Sequence, residues 1–294
     1  MTTTATRPSY RGFFTEVADV IDLSQTFRRL VLSGPDLHEF GDAMLDQRIK
    51  LILATGRQAG QWPMHDAYAY WRSLADHVRP AMRTYTVAGI DHRRRELLVD
   101  IACRPVHGPA SQFAVDARAG DPLVVLGPDV LSDDAAQDGI AWRPAAAREL
   151  MIVGDETALP AIRNILRQLP DGASGRVVLE VPTVSDATDL ATPPGVELCV
   201  VRHCGAPMAA ATARLAAVTS VTDQQSLDGA RTSDDDDLIW DEVERPTAAR
   251  YGWLAGEAGG VMALRRSLLA DGHLVRDSAS FMGYWKLGRA ERAG

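Results

Sequence analysis

Hydrophobic and polar residues change their spacing once along this chain, close to residue 148. The first half carries short apolar runs separated by turn residues such as Ser33-Gly34-Pro35-Asp36. Short runs at this spacing predict an antiparallel β-barrel or sandwich, and we place a barrel domain at residues 10–128. The predicted strands of this domain cover residues 13–21, 27–32, 49–53, 83–90, 96–102 and 122–126.

Two stretches of the first half depart from the strand pattern. Residues 57–80 are rich in Trp, Tyr and His and predict an excursion with a helix over residues 67–78. Residues 83–90 and 96–102 predict a hairpin, and a short helix is expected after Pro109, at residues 111–115. Residues 129–147 are rich in Asp and Ala and predict a linker.

From residue 148 onward, continuous apolar runs alternate with helical patterns. The runs are typical of strands buried on both faces and lie at residues 150–153, 176–181, 197–201, 251–254 and 281–286. Leu159, Ile162, Ile165, Leu166 and Leu169 recur at helical spacing, and further helices are expected near residues 208–218 and after 260. The alternation predicts a doubly wound parallel-sheet domain at residues 148–294, of the kind that binds NAD(P)H.

Composition narrows the class of protein. Hydrophobic residues make up 46% of the chain, which is enough for a core, and the net charge of −8 disfavours a nucleic-acid partner. No apolar run is long enough to span a bilayer, and the first ten residues lack the apolar segment of a secretory signal. The three cysteines are odd in number and form no Cys-x-x-Cys motif, which favours a reducing, cytoplasmic location. The acidic run at residues 234–237 predicts a solvated loop.

The candidate chemistry centres on Arg83-Thr84-Tyr85-Thr86-Val87 and Gly108-Pro109-Ala110-Ser111. In a strand, Tyr85 and Val87 share one face and Thr86 lies on the other. A cation, an aromatic ring and a hydroxyl within four residues match the needs of a flavin. Gly108 permits close approach of a phosphate, and Ser111 with the N–H groups after Pro109 can bind it. The pentapeptide alone is more typical of an ordinary strand with a surface Arg than of a flavin site.

The α/β half lacks the G-x-G-x-x-G pattern of dinucleotide-binding proteins, because the first turn reads Gly154-Asp155-Glu156-Thr157. Thr157 is predicted either to cap the following helix or to approach the flavin. Glu180 ends the second strand of this half, where an acidic residue favours a ribose hydroxyl and hence NADH. A protein electron donor is the open alternative.

Several motifs occur together in one order, and the chain resembles the siderophore-interacting proteins. These are flavin-dependent ferric-siderophore reductases related to ferredoxin–NADP reductases. The motifs that carry the resemblance are Asp46-Gln-Arg-Ile-Lys50-Leu51, RTYTV from Arg83, GPAS from Gly108, GDETALPAI from Gly154, WLAGE from Trp253, and GYWK from Gly283, followed by Gly288-Arg289.

The resemblance implies FAD on the barrel, with electrons from NAD(P)H or a ferredoxin, and an Fe(III)-siderophore as the substrate. It implies that Arg83 holds the pyrophosphate, Tyr85 faces the isoalloxazine, and Thr86 bonds near its N5. Val87 completes the strand, and Gly108, Ala110 and Ser111 bind the phosphates. Siderophores hold Fe(III) through charged oxygens and hold Fe(II) more weakly, so electron delivery is sufficient for release.

Three residues depart from the usual family pattern. Ala88 stands where a second Arg is usual, Arg104 where a His is usual, and Phe113 where a Trp is usual. We infer that Arg104 supplies the guanidinium missing at 88. The departures also support an alternative function, in which the fold was recruited to bind a non-siderophore ligand or to catalyse a non-redox step, with FAD structural or absent.

Cationic side chains are the candidates for substrate binding. Lys286 is one of two lysines and lies in the GYWK motif. Its charge suits an anionic ferric siderophore, although a solvated lysine at a strand end fits the pattern equally well. Arg276 and Arg48 are weaker candidates for the same pocket.

Overall fold

A computed structural model describes residues 8–41, 43–54, 56–103, 108–132, 138–218 and 239–288. The N-terminal tail, Arg104 and the acidic run 234–237 fall outside these ranges. Within them the chain forms two sheets with separate hydrophobic cores. The predicted combination of an antiparallel barrel and an α/β domain is confirmed.

In the described part of the chain, seven strands form the first sheet. They are β1 (Tyr10–Asp22), β2 (Phe27–Ser33), β3 (Arg48–Ile52), β4 (Met82–Thr86), β5 (Gly89–Asp91), β6 (Glu96–Ala102) and β7 (Pro122–Pro128). Their order is β4-β3-β7-β1-β2-β6-β5, and all neighbours are antiparallel. The two edge strands, β4 and β5, are consecutive in the chain, so the sheet curls into a barrel.

Alternation along the strands builds the core of this barrel. Phe13, Leu30, Leu51, Val99 and Val125 all point inward and are fully buried. A second cluster covers the outer face, where α1 (Arg57–Gly60) and α2 (Ala67–Ser73) pack Trp62 and Trp71 against the sheet. The helix α3 (Pro109–Asp116) follows β6 and places Ala114 at the core.

In the described residues of the second half, six strands form a mixed sheet. They are β8 (Glu149–Gly154), β9 (Ser174–Val181), β10 (Gly195–Arg202), β11 (Trp240–Asp241), β12 (Arg250–Glu257) and β13 (Ala279–Trp285). Their order is β10-β9-β8-β12-β13-β11, and β11 alone runs antiparallel in that sheet as described. The direction of strand addition reverses between β8 and β12, so the crevice beyond their carboxyl ends is the expected ligand position.

Helices cover both faces of this sheet. The helix α4 (Leu159–Gln168) packs with Ile152 and Leu179 on one face. The helices α5 (Ala209–Val218) and α6 (Ala258–Ala270) pack with Val153 and Val178 on the other. Odd and even positions of each strand therefore serve different cores, which explains the continuous apolar runs of the sequence.

Three predicted elements differ in detail. The strand expected over residues 83–90 is two strands, because the chain turns at Val87 and Ala88 from one edge of the sheet to the other. The helix expected over residues 67–78 ends at Ser73, where Leu74 adopts extended backbone. The polar stretch after residue 220 contributes β11, whose two residues pair with Phe281 and Met282. Pairing with an existing edge does not require an apolar run, so the sequence pattern gave no sign of it.

Candidate functional site

The predicted flavin strand, residues 83–87, lies at one edge of the barrel sheet, and Val87 at its end is bonded to the second domain. Tyr85 and Val87 share the face that meets the barrel core, as expected from their spacing. Thr86 lies on the other face, is only 5% exposed, and pairs with Arg48 of β3. Arg83 is half-buried and donates to the carbonyl of Met82 at 2.7 Å. The structure thus brings the cation, ring and hydroxyl onto one short strand.

The GPAS segment forms the beginning of α3. Gly108 precedes the helix with φ of −74°, and among the described residues no side chain caps this helix start. A Cβ placed on Gly108 would meet no atom within 4 Å, so its backbone faces open space. The hydroxyl of Ser111 donates to the carbonyl of Ala102 at 3.0 Å and ties the helix to the end of β6. The N-terminus of α3 therefore offers N–H groups to an anion.

Asp46 joins the barrel to the second domain, and the sequence analysis did not single out its role. Its carboxylate is 1% exposed and accepts hydrogen bonds from Trp253 Nε1 at 2.9 Å and from the backbone N–H groups of Ala141 and Trp142 at 3.1 Å. Ile140, Ala141 and Trp142, within the predicted linker, pack into the core of the α/β domain. One buried carboxylate thus holds together barrel, connecting segment and sheet.

Asp46 also predicts a pH effect on stability. Burial raises the pKa of Asp46, against the hydrogen bonds from Trp253 and Trp142 and the charge of Arg48. A raised pKa in the folded state contributes stability below the ordinary value of 3.8 that is lost as the pH rises through the folded value. In urea titrations, the unfolding free energy of wild type minus that of Asp46→Asn should therefore fall as the pH rises from 3.8. A difference that grows over that range would contradict the assignment.

The loop before β3 is strained and is held from the other domain. Met44 and Leu45 both have positive φ, at 53° and 49°, which is costly for residues with side chains. Asn164 of α4 donates to the carbonyl of Leu45 at 3.0 Å and to that of Val87 at 2.7 Å. Asn164 was also missed by sequence reasoning. Its signal is a buried amide in the middle of an otherwise apolar helix face.

The crevice between β8 and β12 is organised by Asp155. This carboxylate is 1% exposed and accepts from the backbone N–H groups of Thr157 at 2.9 Å and Glu257 at 2.8 Å. It also accepts from Trp285 Nε1 at 2.8 Å and from the hydroxyl of Thr157 at 2.5 Å. Asp155 rather than Thr157 is therefore the capping residue. It caps the short 3₁₀ turn Glu156–Ala158 that leads into α4, and within the described ranges the start of α4 itself has no side-chain cap.

Glu180 does not face a ribose. Its side chain is fully buried, and its oxygens accept from the N–H groups of Met208 at 2.9 Å and Ala211 at 2.8 Å, with His203 Nδ1 at 2.7 Å. The prediction that Glu180 favours NADH is thus unsupported, since both carboxylate oxygens serve the start of α5. Glu257 likewise accepts from Gly260 N at 2.9 Å, so carboxylates of the chain itself bind N–H groups at the starts of α5 and α6 and in the turn before α4.

The three cationic candidates do not share one place. Arg48 pairs with Glu242 at 2.8 Å and lies 4.4 Å above the ring of Trp240, which stacks on Tyr284. Lys286 follows β13 directly, two residues beyond Tyr284. Arg276 is exposed and precedes the same strand, and seven residues of strand separate the two by roughly 20 Å. Arg48 and Lys286 therefore lie near the Tyr284 end of β13, and Arg276 lies at the opposite end of this strand.

The structure also contains an interdomain cavity of about 760 Å³. It lies between β2, β5 and β6 of the barrel and α4 of the second domain, and Ala88 is part of its wall. Arg163 beside it donates to Asp189 and Asp100, and Asp100 also pairs with Arg29. Guanidinium groups near position 88 thus come from α4 and β2. The expected compensation by Arg104 lies outside the described residues.

The described ranges contain neither a metal-binding cluster nor a membrane-spanning helix. No group of three or more His, Cys, Asp or Glu side chains there is arranged to hold a metal ion. No helix in the same ranges is long and apolar enough to cross a bilayer. Phe113, the third departure from the family pattern, packs against the barrel core.

The residues present fit a flavin dinucleotide. The open space at Gly108 and the uncapped start of α3 suit a pyrophosphate, and Arg83 supplies a cation. Tyr85 offers a half-exposed ring at the barrel edge, and Thr86 adds a hydroxyl. When bound, FAD supplies redox chemistry by accepting two electrons and passing them on singly.

Comparison with known protein families gives two matches that together cover most of the chain. A model described as a siderophore-interacting FAD-binding domain matches residues 16–132. A model described as siderophore-interacting protein matches residues 147–288. The boundary between the matches lies within the segment that connects the two sheets.

Individual relatives agree with these matches. An uncharacterised protein of Mycobacterium tuberculosis is 30% identical over 285 residues, covering 94% of this chain and 90% of its own. A ferric vibriobactin reductase of Vibrio cholerae is 25% identical over 282 residues, covering 92% and 88%. The crystal structure of the siderophore-interacting protein SipS from Aeromonas hydrophila has a TM-score of 0.67 at 27% identity, covering 96% and 94%.

Proposed function

Because this chain belongs to the siderophore-interacting protein family, we propose that it uses FAD to reduce an Fe(III)-siderophore and release Fe(II). Electrons come from NAD(P)H or from a ferredoxin. FAD is held by Arg83, Tyr85, Thr86, Val87, Gly108, Ala110 and Ser111, with Arg104 as a further candidate. Thr157 of the α/β domain approaches the cofactor.

One observation carries this proposal: the flavin strand ends inside the contact between the two domains. Thr86 is followed by Val87, whose carbonyl accepts from Asn164 of α4. A cofactor along β4 therefore has its reactive end beside the α/β domain, where a donor or acceptor can approach. The similarity to a ferric vibriobactin reductase supports the same activity.

The chain's own residues contribute positioning and charge. Arg83 and the start of α3 neutralise phosphate, and Tyr85 presents one wall to a flat ring. The Thr86 hydroxyl is buried, so it acts in a site from which water is largely excluded. At the iron no acid–base residue is required, because Fe(II) exchanges from oxygen ligands more readily than Fe(III).

The test uses the purified full chain with added FAD under anaerobic conditions. The bound flavin should bleach with NADH, NADPH, reduced ferredoxin or dithionite. Adding a ferric trihydroxamate should restore the absorbance and yield Fe(II), captured by ferrozine, with two Fe(III) reduced per reduced FAD because each accepts one electron. Bound, reducible FAD without Fe(II) from any ferric chelate would favour the recruited, non-siderophore alternative.

The placement of Lys286 predicts a selective effect on substrate binding. Lys286→Gln should raise KM for an anionic ferric tricatecholate about five- to tenfold at low salt, with little change in kcat, because it removes a charge that attracts the substrate. KM for an uncharged ferric trihydroxamate should not change. Initial rates with both chelates measure the difference.

Arg276→Gln is the matched control for that prediction. It removes the same charge from the opposite end of β13 and should leave both KM values unchanged. Equal effects of the two substitutions would show that only the net charge of the protein matters, and that Lys286 does not contact the substrate.

A further inference from the structure

We propose that Asn164, on helix α4 of the α/β domain, is a positioning residue for the flavin site of the barrel. The proposal rests on the proposed function, because it takes Thr86 and Val87 as the end of the flavin-binding strand. It means that docking of the second domain, as well as the barrel sequence, sets the geometry around the cofactor.

The amide of Asn164 is used for its two donors. Asn164 is 2% exposed, and its Nδ2 donates to Val87 O at 2.7 Å and to Leu45 O at 3.0 Å. Its Oδ1 is buried and has no hydrogen-bond partner among the described residues. Within the described ranges, the side chain of Asn164 therefore bonds only through its N–H groups. Both groups donate to backbone carbonyls of the other domain.

Val87 is fixed on both sides of its peptide backbone. Its N–H donates to Gln47 O at 3.1 Å while its carbonyl accepts from Asn164. The next N–H, of Ala88, donates to Leu98 of β6 at 2.9 Å. The chain pivots here between the two edge strands of the barrel. Without the bond from α4 the pivot loses one of its restraints, and Thr86 lies one residue before it.

The second carbonyl that Asn164 binds belongs to the strained loop. Met44 and Leu45 are held in left-handed backbone, and Gln47, whose carbonyl restrains Val87, follows two residues later. Backbone in this region persists only where the surroundings impose it. Asn164 therefore restrains the flavin strand directly at Val87 and indirectly through the loop that leads into β3.

The local sequence also indicates that Asn164 has a role other than helix formation. Asn is a poorer helix former than the Ala, Leu and Arg residues of this helix, and a buried amide requires partners. Asn164 stands between Ile162 and Ile165, in a helix with eight successive buried residues. An apolar residue would pack in the same face without leaving an acceptor unpaired.

The experiment compares Asn164→Ala with Tyr251→Phe. Tyr251 is buried and bonds the connecting segment through Ala141 O at 2.9 Å and Arg143 N at 3.1 Å, and it has no bond to β4. Each substitution removes buried hydrogen bonds between segments, so both should lower the thermal midpoint. Three quantities are measured for each protein: that midpoint, the FAD dissociation constant, and the absorption spectrum of bound FAD.

Asn164→Ala should weaken FAD binding about tenfold, equivalent to one lost hydrogen bond of ordinary strength, and should shift the flavin absorption bands. Tyr251→Phe should leave both unchanged. If Asn164→Ala fails to fold, Asn164→Leu fills the same space without donors and should weaken FAD binding to a similar extent. A lowered midpoint with unchanged affinity and spectrum would overturn the proposal for Asn164, whereas a wild type that binds no FAD would overturn the proposed function itself.

Discussion

Asp46→Ala is expected to destabilise the protein more than any other single substitution considered. It leaves three buried N–H donors, from Trp253, Ala141 and Trp142, without an acceptor. Each unsatisfied buried donor costs about 1–3 kcal/mol, so the loss should reach about 3–5 kcal/mol even after partial relaxation. Trp253 lies in the middle of β12, so the damage extends into the α/β core as well as the contact between domains.

Urea unfolding followed by tryptophan fluorescence measures this effect, because Trp142 and Trp253 report directly on the contact. Asp76→Ala is the control: it removes an exposed carboxylate that pairs with Arg79 at 2.9 Å. Surface pairs of this kind contribute little, so that variant should unfold like wild type. An Asp46→Ala protein within 1 kcal/mol of wild type would show that water replaces the carboxylate and that the contact does not depend on it.

Gly108→Asp is expected to separate folding from cofactor binding. Asp is a good N-cap and Gly108 has an allowed φ of −74°, with open space where the Cβ would lie. Stability should therefore stay level or rise by a few tenths of a kcal/mol. The new carboxylate would occupy the start of α3, where we place the pyrophosphate. Two like charges about 4 Å apart near a protein surface repel by about 4 kcal/mol, so FAD affinity should fall at least a hundredfold.

Titration of FAD into the apoprotein, read by quenching of flavin fluorescence, measures the loss. Gly108→Ala is the matched control, since it adds a Cβ at the same position without a charge and should reduce affinity much less. Unchanged FAD binding in Gly108→Asp, with a normal thermal midpoint, would place the phosphates away from α3 and remove Gly108, Ala110 and Ser111 from the site.

Local pattern accounts for most of the elements. The five parallel strands of the second half were predicted to within a few residues because their apolar runs are unbroken, as at Leu150 to Val153, whereas β11 was not predicted. The alternation of Tyr85, Thr86 and Val87 predicted which face each side chain takes. Residues 83–90 were predicted as one strand because composition does not indicate where a closing barrel breaks its edge.

Sequence motifs named the residues of the flavin strand, because a cation, a ring and a hydroxyl in four residues are a local feature. They also named Glu180 as a ribose ligand, and the structure turned that carboxylate toward the start of α5. The sequence identifies Glu180 as the last charged residue of its strand. The packing of α5 decides which N–H groups its carboxylate binds.

The sequence by itself determined the two sheets, their helices and the strand that carries the candidate cofactor residues, since these depend on periodicity over a few residues. Only the tertiary structure decided that Asp46 and Asn164 hold the two domains together, that Arg276 lies far from Lys286, and that Glu180 and Glu257 bind N–H groups at the starts of α5 and α6. Those contacts join residues as many as 207 positions apart, and no local pattern records which distant N–H a buried carboxylate will meet.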